Sequence, residues 1–178
     1  MDTEKKYKLI TLMGMVCFPQ MPISCDIRRE QSKQGILEAF NLGEPVVFVT
    51  QTKSTIAKNV MDSINPVGCL CHLTNVDASG DVLKVQADGL QRVQILEASS
   101  DGKFVECKIN FVKPTNTTGT TVNLLMSTAK QNFVEFSSYE KHFTPEIMRV
   151  IDSLKDANNF IDAVTVLSIK DEAKQLAI

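Results

Sequence analysis

The stretch KPTNTTGTT, residues 113–121, separates two halves of the chain whose hydrophobic patterns have different periods. It combines proline, glycine, asparagine and several threonines with nothing to bury, the composition of a linker. Before it, apolar residues fall in short β-type runs broken by turn signals; after it, they recur at helical spacing. Neither a uniform sheet nor a uniform bundle accommodates both patterns. The expected class is α+β: a β-rich domain over residues 1–113, a linker over 114–121 and a helical subdomain over 122–178.

In the first half, YKLITLMGMVCF reads as extended until PQMP breaks it. PVVFVTQ (45–51) is apolar on both faces, which predicts a fully buried strand. DVLKVQADG alternates Val82, Lys84 and Gln86 against Leu83, Val85 and Ala87, and ASGD before it supplies a hairpin turn. QRVQILEAS and GKFVECKINFV follow in the same style, with Asp101-Gly102 as the turn between them. One helix interrupts, REQSKQGILEAFNLG, with Ile36, Leu37 and Phe40 expected on one side and its stop at Gly43.

In the second half, Leu125, Ala129, Phe133 and Phe136 make an apolar stripe. A further helix opens with Thr144 as N-cap and Pro145 and Glu146 in its first turn. Phe160, Ile161, Val164 and Leu167 form the apolar face of another. A last helix begins near KDEAKQLAI, and its uncapped apolar end reads as a point within a longer protein.

Charge and cysteine content narrow the partners. The formal net charge is -2, and the basic clusters KKYK (5–8) and Arg28-Arg29 have acidic neighbours, so the electrostatic footprint of a nucleic-acid binder is missing. No apolar run approaches the roughly 20 residues that span a bilayer. MDTEKKYKLI lacks the features of a targeting leader, and the expectation is a cytoplasmic protein with reduced thiols and no membrane partner. The sequon Asn116-Thr117-Thr118 is then only a polar loop.

Five cysteines occupy positions 17, 25, 69, 71 and 107. In VGCLCHL, Cys69 and Cys71 share one face of a strand, and Leu70 and His72 the other. C-x-C lacks the chelating spacing of a zinc knuckle, and Cys17, Cys25 and Cys107 are isolated in sequence. Packing as small hydrophobes is the expected role of the cysteines, with no metal site. Phosphate-loop, dinucleotide-turn and nucleophile-elbow motifs are not present. Ser153 and Lys155, two apart on a helix, face different ways. The sequence offers no catalytic and no cofactor-binding residues.

Several motifs in order resemble the amino-terminal domain of Lon, the ATP-dependent protease. They are Phe18-Pro19-Gln20-Met21, Arg29-Glu30-Gln31-Ser32, the buried VVFVTQ, the Val-Gly strand PVGCLCHLTNV, and Gly89-Leu90-Gln91-Arg92. The helical half, FTPEIMRVIDSLKDANNFIDAVT, resembles the segment that follows in that family. Thr11-Leu12-Met13-Gly14 departs from the family's usual Pro-Leu-Arg, and Arg28 stands where glycine is common.

The resemblance implies a PUA-like β-barrel or pseudo-barrel with one helix, followed by a small helical bundle. It implies a substrate-recognition and assembly domain that captures unfolded or degron-bearing polypeptides. ATP, Mg2+, the P-loop and the Ser-Lys proteolytic dyad would belong to other modules of a homohexameric serine protease, and this part alone would be a monomer or weak dimer. Met13, Met15, Phe18 and Met21 are the candidate substrate contacts, because exposed Met and Phe side chains adapt to varied apolar sequences. A free-standing LON-domain binding module and a PUA-like RNA binder are the alternative readings; an independent enzyme has no supporting constellation.

Overall fold

The computed structural model describes residues 5–57, 59–115, 118–140 and 142–177. Asn116 and Thr117 of the sequon and Ile178 at the end of the last helix lie outside the described residues. The chain forms two compact units, Met1–Val112 and Lys113–Ile178.

The first unit contains β1 (Tyr7–Leu12), β2 (Pro22–Ile27), α1 (Glu30–Leu42), β3 (Val46–Thr50), β4 (Val67–Asp77), β5 (Leu83–Ser100) and β6 (Val105–Phe111), with a 3-10 turn at Val60–Ser63. The sheet order is β2-β5-β4-β3-β1-β6, and β5 also pairs with β6, which closes five of the six strands into a ring. Only β1 and β3 run parallel, joined through β2 and α1. The expected α+β class, with a barrel-like sheet followed by helices, is what the structure shows.

Closure explains the residue patterns. All five residues of β3 are buried, because Val46 and Phe48 enter one apolar cluster and Val47 and Val49 enter another. Each such side chain contributes about 1.5–3 kcal/mol on burial. Leu83, Val85 and Ala87 point inward between exposed Lys84 and Gln86, as their alternation predicts. DVLKVQADG and QRVQILEAS, separate runs in the sequence, are one continuous strand of 18 residues. Its first part pairs with β2 and its second part with β6, while β4 runs along much of its other edge. The run YKLITLMGMVCF, in contrast, is strand only as far as Leu12.

Helix α1 stops at Gly43, whose φ of 66° is left-handed. Its buried residues are Ser32, Gly35, Ile36 and Ala39, so the expected face needs correction. Leu37 and Phe40 are exposed on the outer side, because the small residues let the helix lie close to the sheet.

The second unit contains α2 (Thr120–Ser137), α3 (Pro145–Ser153), α4 (Ala157–Ser168) and α5 (Glu172–Leu176). Thr144 caps α3, its hydroxyl accepting from the Ile147 N–H at 3.4 Å. Asp156 caps α4, its Oδ1 accepting from the Asn158 and Asn159 N–H groups at 3.0 Å each. Lys155 lies beyond the end of α3, not on the helix with Ser153. On α2 only Phe133 is buried; Leu125, Ala129 and Phe136 are exposed, contrary to the expected stripe. Val122, Met126, Lys130 and Phe133 form its less exposed side. On α4 the buried residues are Phe160, Asp162, Ala163 and Thr165, and Ile161 is exposed.

Candidate functional site

Residues 13–21 connect β1 to β2 and carry all four sequence-predicted contacts. The connection is held against β5 by its backbone. The Gln20 N–H donates to the Gly89 carbonyl at 2.8 Å, and the Gly89 N–H donates to the Met21 carbonyl at 3.0 Å. The Gln20 side chain adds Nε2 to the Leu90 carbonyl at 3.2 Å, and Gln20 accepts a positive φ of 59° to make the turn. On the β1 side, the Thr50 hydroxyl donates to the Met15 carbonyl at 2.8 Å.

Gly89 makes this approach possible. A Cβ there would stand against the Phe18 carbonyl, 3.0 Å from its carbon, and 3.3 Å from the Cys69 sulfur. Leu90 is left out of the β4–β5 register, which steps from Gln91 to Gly89 opposite Leu70 and Cys71. Arg92 lies over the Phe18 ring at 5.8 Å. The motif Gly89-Leu90-Gln91-Arg92 thus supplies a gap, an outward side chain and a lid.

The four candidates separate in this setting. Met13 is 62% exposed, Met15 and Met21 are half-buried, and Phe18 is only 3% exposed. Phe18 is therefore not a surface contact: the two hydrogen bonds flanking Gly89 turn its ring inward beneath Arg92. Leu90, beside Gln20 on the surface, is 42% exposed, and Leu37, Phe40 and Leu42 are exposed at the end of α1. Leu90 keeps the outward phase of Lys84, Gln86 and Asp88, so the alternation of β5 already places it on the surface beside the connection.

The same connection changes the setting of the cysteines. Cys69 and Cys71 are fully buried on one face of β4, and Cys17 sits beside them, its sulfur 3.3 Å from that of Cys71 across 54 residues of sequence. Cys17 is isolated in sequence but not in space. The thiols of Cys17 and Cys71 hold that of Cys69 low, helped by the Leu90 N–H and the charge of Arg92. Hydrogen bonding with Cys69 pushes Cys17 up, and hydrogen bonding with Cys17 and Cys69 pushes Cys71 up, with burial acting in the same direction on both. Cys25 lies in the same apolar cluster but outside the close sulfur trio, and Cys107 lies in the other cluster; burial raises them to about 11 and about 12. His72 is exposed on the opposite face of β4.

Nearby, Arg29 of the Arg-Glu-x-Ser motif donates to the Thr11 hydroxyl at 2.9 Å and to Gln51 Oε1 at 3.3 Å. It ties the start of α1 to the ends of β1 and β3, a positioning role within the fold.

The family model described as the ATP-dependent protease La (LON) substrate-binding domain matches residues 6–177. The chain is 27% identical to a Lon protease of Clostridium acetobutylicum, over 98% of this chain and 23% of that protein. It is 24% identical to one of Desulforamulus reducens, over 96% of this chain and 21% of that protein, and 22% identical to one of Escherichia coli, over 88% and 20%. The chain thus spans between a fifth and a quarter of the length of these relatives. Among solved structures it is similar to the N-terminal domain of Mycobacterium avium complex Lon protease, with a TM-score of 0.78 at 14% identity, covering 97% of this chain and 88% of that one. A Lon N-terminal domain protein from Xanthomonas campestris gives 0.54 at 14% identity, covering 97% and 95%.

Proposed function

Because the chain belongs to the LON substrate-binding domain family, we propose that it captures unfolded or degron-bearing polypeptides for an ATP-dependent Lon serine protease. The observation that carries this reading is the family match across residues 6–177, nearly the whole chain. The relatives' identity as Lon proteases favours it over a free-standing binding module. An RNA-binding role has the formal net charge of -2 against it.

In this reading the chain contributes no catalytic group. ATP, Mg2+ and the proteolytic residues are supplied by other modules of the same protease. Assembly into a hexamer depends on those modules, and this domain alone is a monomer or weak dimer. The compartment is the cytoplasm; among the described residues, no helix is long and apolar enough to cross a membrane. Substrate contact runs through Met13, Met15 and Met21, with Leu90 beside them on the β5 bulge. Flexible thioethers suit a surface that must accept many sequences.

The test is binding of a fluorescently labelled, permanently unfolded polypeptide, followed by anisotropy, against the same label on a folded protein. Selective, weak binding to the unfolded chain, with neither ATP hydrolysis nor peptide cleavage, is the expected result. Equal binding to both, or ATPase or peptidase activity that co-purifies with the chain, would overturn the reading.

A further inference from the structure

Among the described residues, Cys17, Cys69 and Cys71 are the one group of three or more potential metal ligands, their sulfurs all within 4.8 Å of one another. We propose that these three thiols bind a single Zn(II) ion, with one water completing the coordination from the Cys17 side.

The arrangement is built by backbone geometry from three places in the chain. Alternation along β4 puts Cys69 and Cys71 on one face. Gly89 leaves the space in which the Cys69 sulfur and the Phe18 backbone meet. The hydrogen bonds between Gly89 and residues 20 and 21 then hold the connection so that Cys17 reaches Cys71 at 3.3 Å. Cys25 shares the apolar cluster with Cys69 and Cys71, yet only Cys17, Cys69 and Cys71 bring their sulfurs within 4.8 Å of one another.

The spacing suits the ion. A Zn–S bond of about 2.3 Å in a tetrahedron places sulfurs roughly 3.8 Å apart. The observed spacings, from 3.3 Å between Cys17 and Cys71 to at most 4.8 Å, bracket that value, so small rotations about the Cα–Cβ bonds suffice. The donors are all sulfur, which selects zinc or Cu(I) and excludes calcium and magnesium. Charge decides between the first two. Three thiolates leave a Zn(II) site at one negative charge and a Cu(I) site at two, and net charge in a buried site is costly. Arg92, paired with Cys69 across β4 and β5, attracts that negative charge. Cys69 and Cys71 are fully buried and Cys17 only half, so the fourth position opens on the Cys17 side.

Binding is an exchange without redox change: three Zn–S bonds form, and each thiol still protonated releases its proton to solvent. The ion would fasten the Met13–Met21 connection to β4. The proposal does not depend on what that connection binds.

The experiment uses the full chain, freshly reduced, stripped of metal and checked by thiol count. One equivalent of Zn(II) is measured by competition with a chromophoric zinc indicator. Co(II) replaces it for absorption, where thiolate coordination gives a near-ultraviolet charge-transfer band and tetrahedral geometry gives strong visible bands. Expected are one ion per chain, binding at least roughly 100-fold weaker in Cys17→Ser, and unchanged binding in Cys25→Ser. Cys17→Ser is the decisive variant because Cys17 is only half-buried and the replacement keeps its size; circular dichroism confirms that it folds. No stoichiometric uptake by the reduced wild type, or uptake that survives Cys17→Ser, would overturn the proposal. So would a chain that closes a Cys17–Cys71 disulfide in air and, once reduced again, takes up no metal.

Discussion

The Phe18 carbonyl occupies the space in which a side chain on Gly89 would begin. Two backbone hydrogen bonds fix this contact, so neither strand β5 nor the Met13–Met21 connection can yield without losing one. Gly89→Ala should therefore destabilise the first unit by about 1–3 kcal/mol, through overpacking against a backbone that cannot rotate away. Urea denaturation measures it; a change below about 0.5 kcal/mol, the range of an ordinary surface substitution, would show that the connection is free to move.

The corrected face of α1 gives a paired comparison. Ile36→Ala should cost about 2–5 kcal/mol, since Ile36 is completely buried in the cluster with Ile10 and Phe48. Leu37→Ala and Phe40→Ala, on the outer side, should each stay within roughly 1 kcal/mol. Equal losses for Ile36 and Phe40 would restore the face expected from periodicity.

On the candidate surface, Met13→Ser and Leu90→Ser should weaken binding of an unfolded polypeptide while leaving the unfolding midpoint nearly unchanged, since both side chains are exposed. Phe18→Ala should instead cost about 3–5 kcal/mol of stability. Binding and stability measured on the same preparations separate the two roles. Undiminished binding in the Met13, Leu90 double variant would move the contact surface elsewhere, with the α1 end carrying Leu37, Phe40 and Leu42 next in line.

A cluster of five charges, Lys6, Lys8, Glu38, Lys103 and Glu106, gives a pH dependence of known sign. Lys103 Nζ lies 2.6 Å from Glu38, while Lys8 Nζ lies 3.4 Å from Glu38 and 3.0 Å from Glu106. The bond from Lys103, and then that from Lys8, hold the Glu38 carboxyl below its ordinary value. A carboxyl depressed in the folded state contributes stability above its unfolded pKa and loses it as pH falls through the folded one. The stability difference between wild type and Glu38→Gln should thus be present at neutral pH and shrink on acidification below the usual carboxylate range. A difference that is flat, or that grows with acid, would show that this pair does not supply it.

Local pattern carried much of the fold. The all-apolar run of β3, the alternation from Leu83 to Ala87, the Asp101-Gly102 turn and the Thr144 cap each depend on neighbours in sequence, and each is found as expected. The misassigned faces of α1 and α2 have another origin. Both helices carry apolar residues on more than one side, and the choice between sides is made by what packs there: Gly35 and Ala39 admit a sheet where Leu37 and Phe40 would hold it off. The candidate site was legible as a segment, through Met13, Met15 and Met21. The outward side of Leu90 follows the alternation of β5, whereas the inward turn of Phe18 and the meeting of Cys17 with Cys71 depend on contacts between segments far apart in sequence, which no local period encodes.

The ring also sets an order of events for a chain emerging from the ribosome. Tyr7 pairs with Cys107 and Lys8 with Glu106, so the first strand of the sheet lies beside the last. Until β6 has been synthesised, β1 has β3 on one side and an unsatisfied edge on the other. Closure must await nearly the whole of the first unit, a long loop to close and a slow class of contact. During that interval the nascent domain presents an open strand edge of its own, the feature by which quality-control machinery and aggregating neighbours alike recognise unfinished proteins.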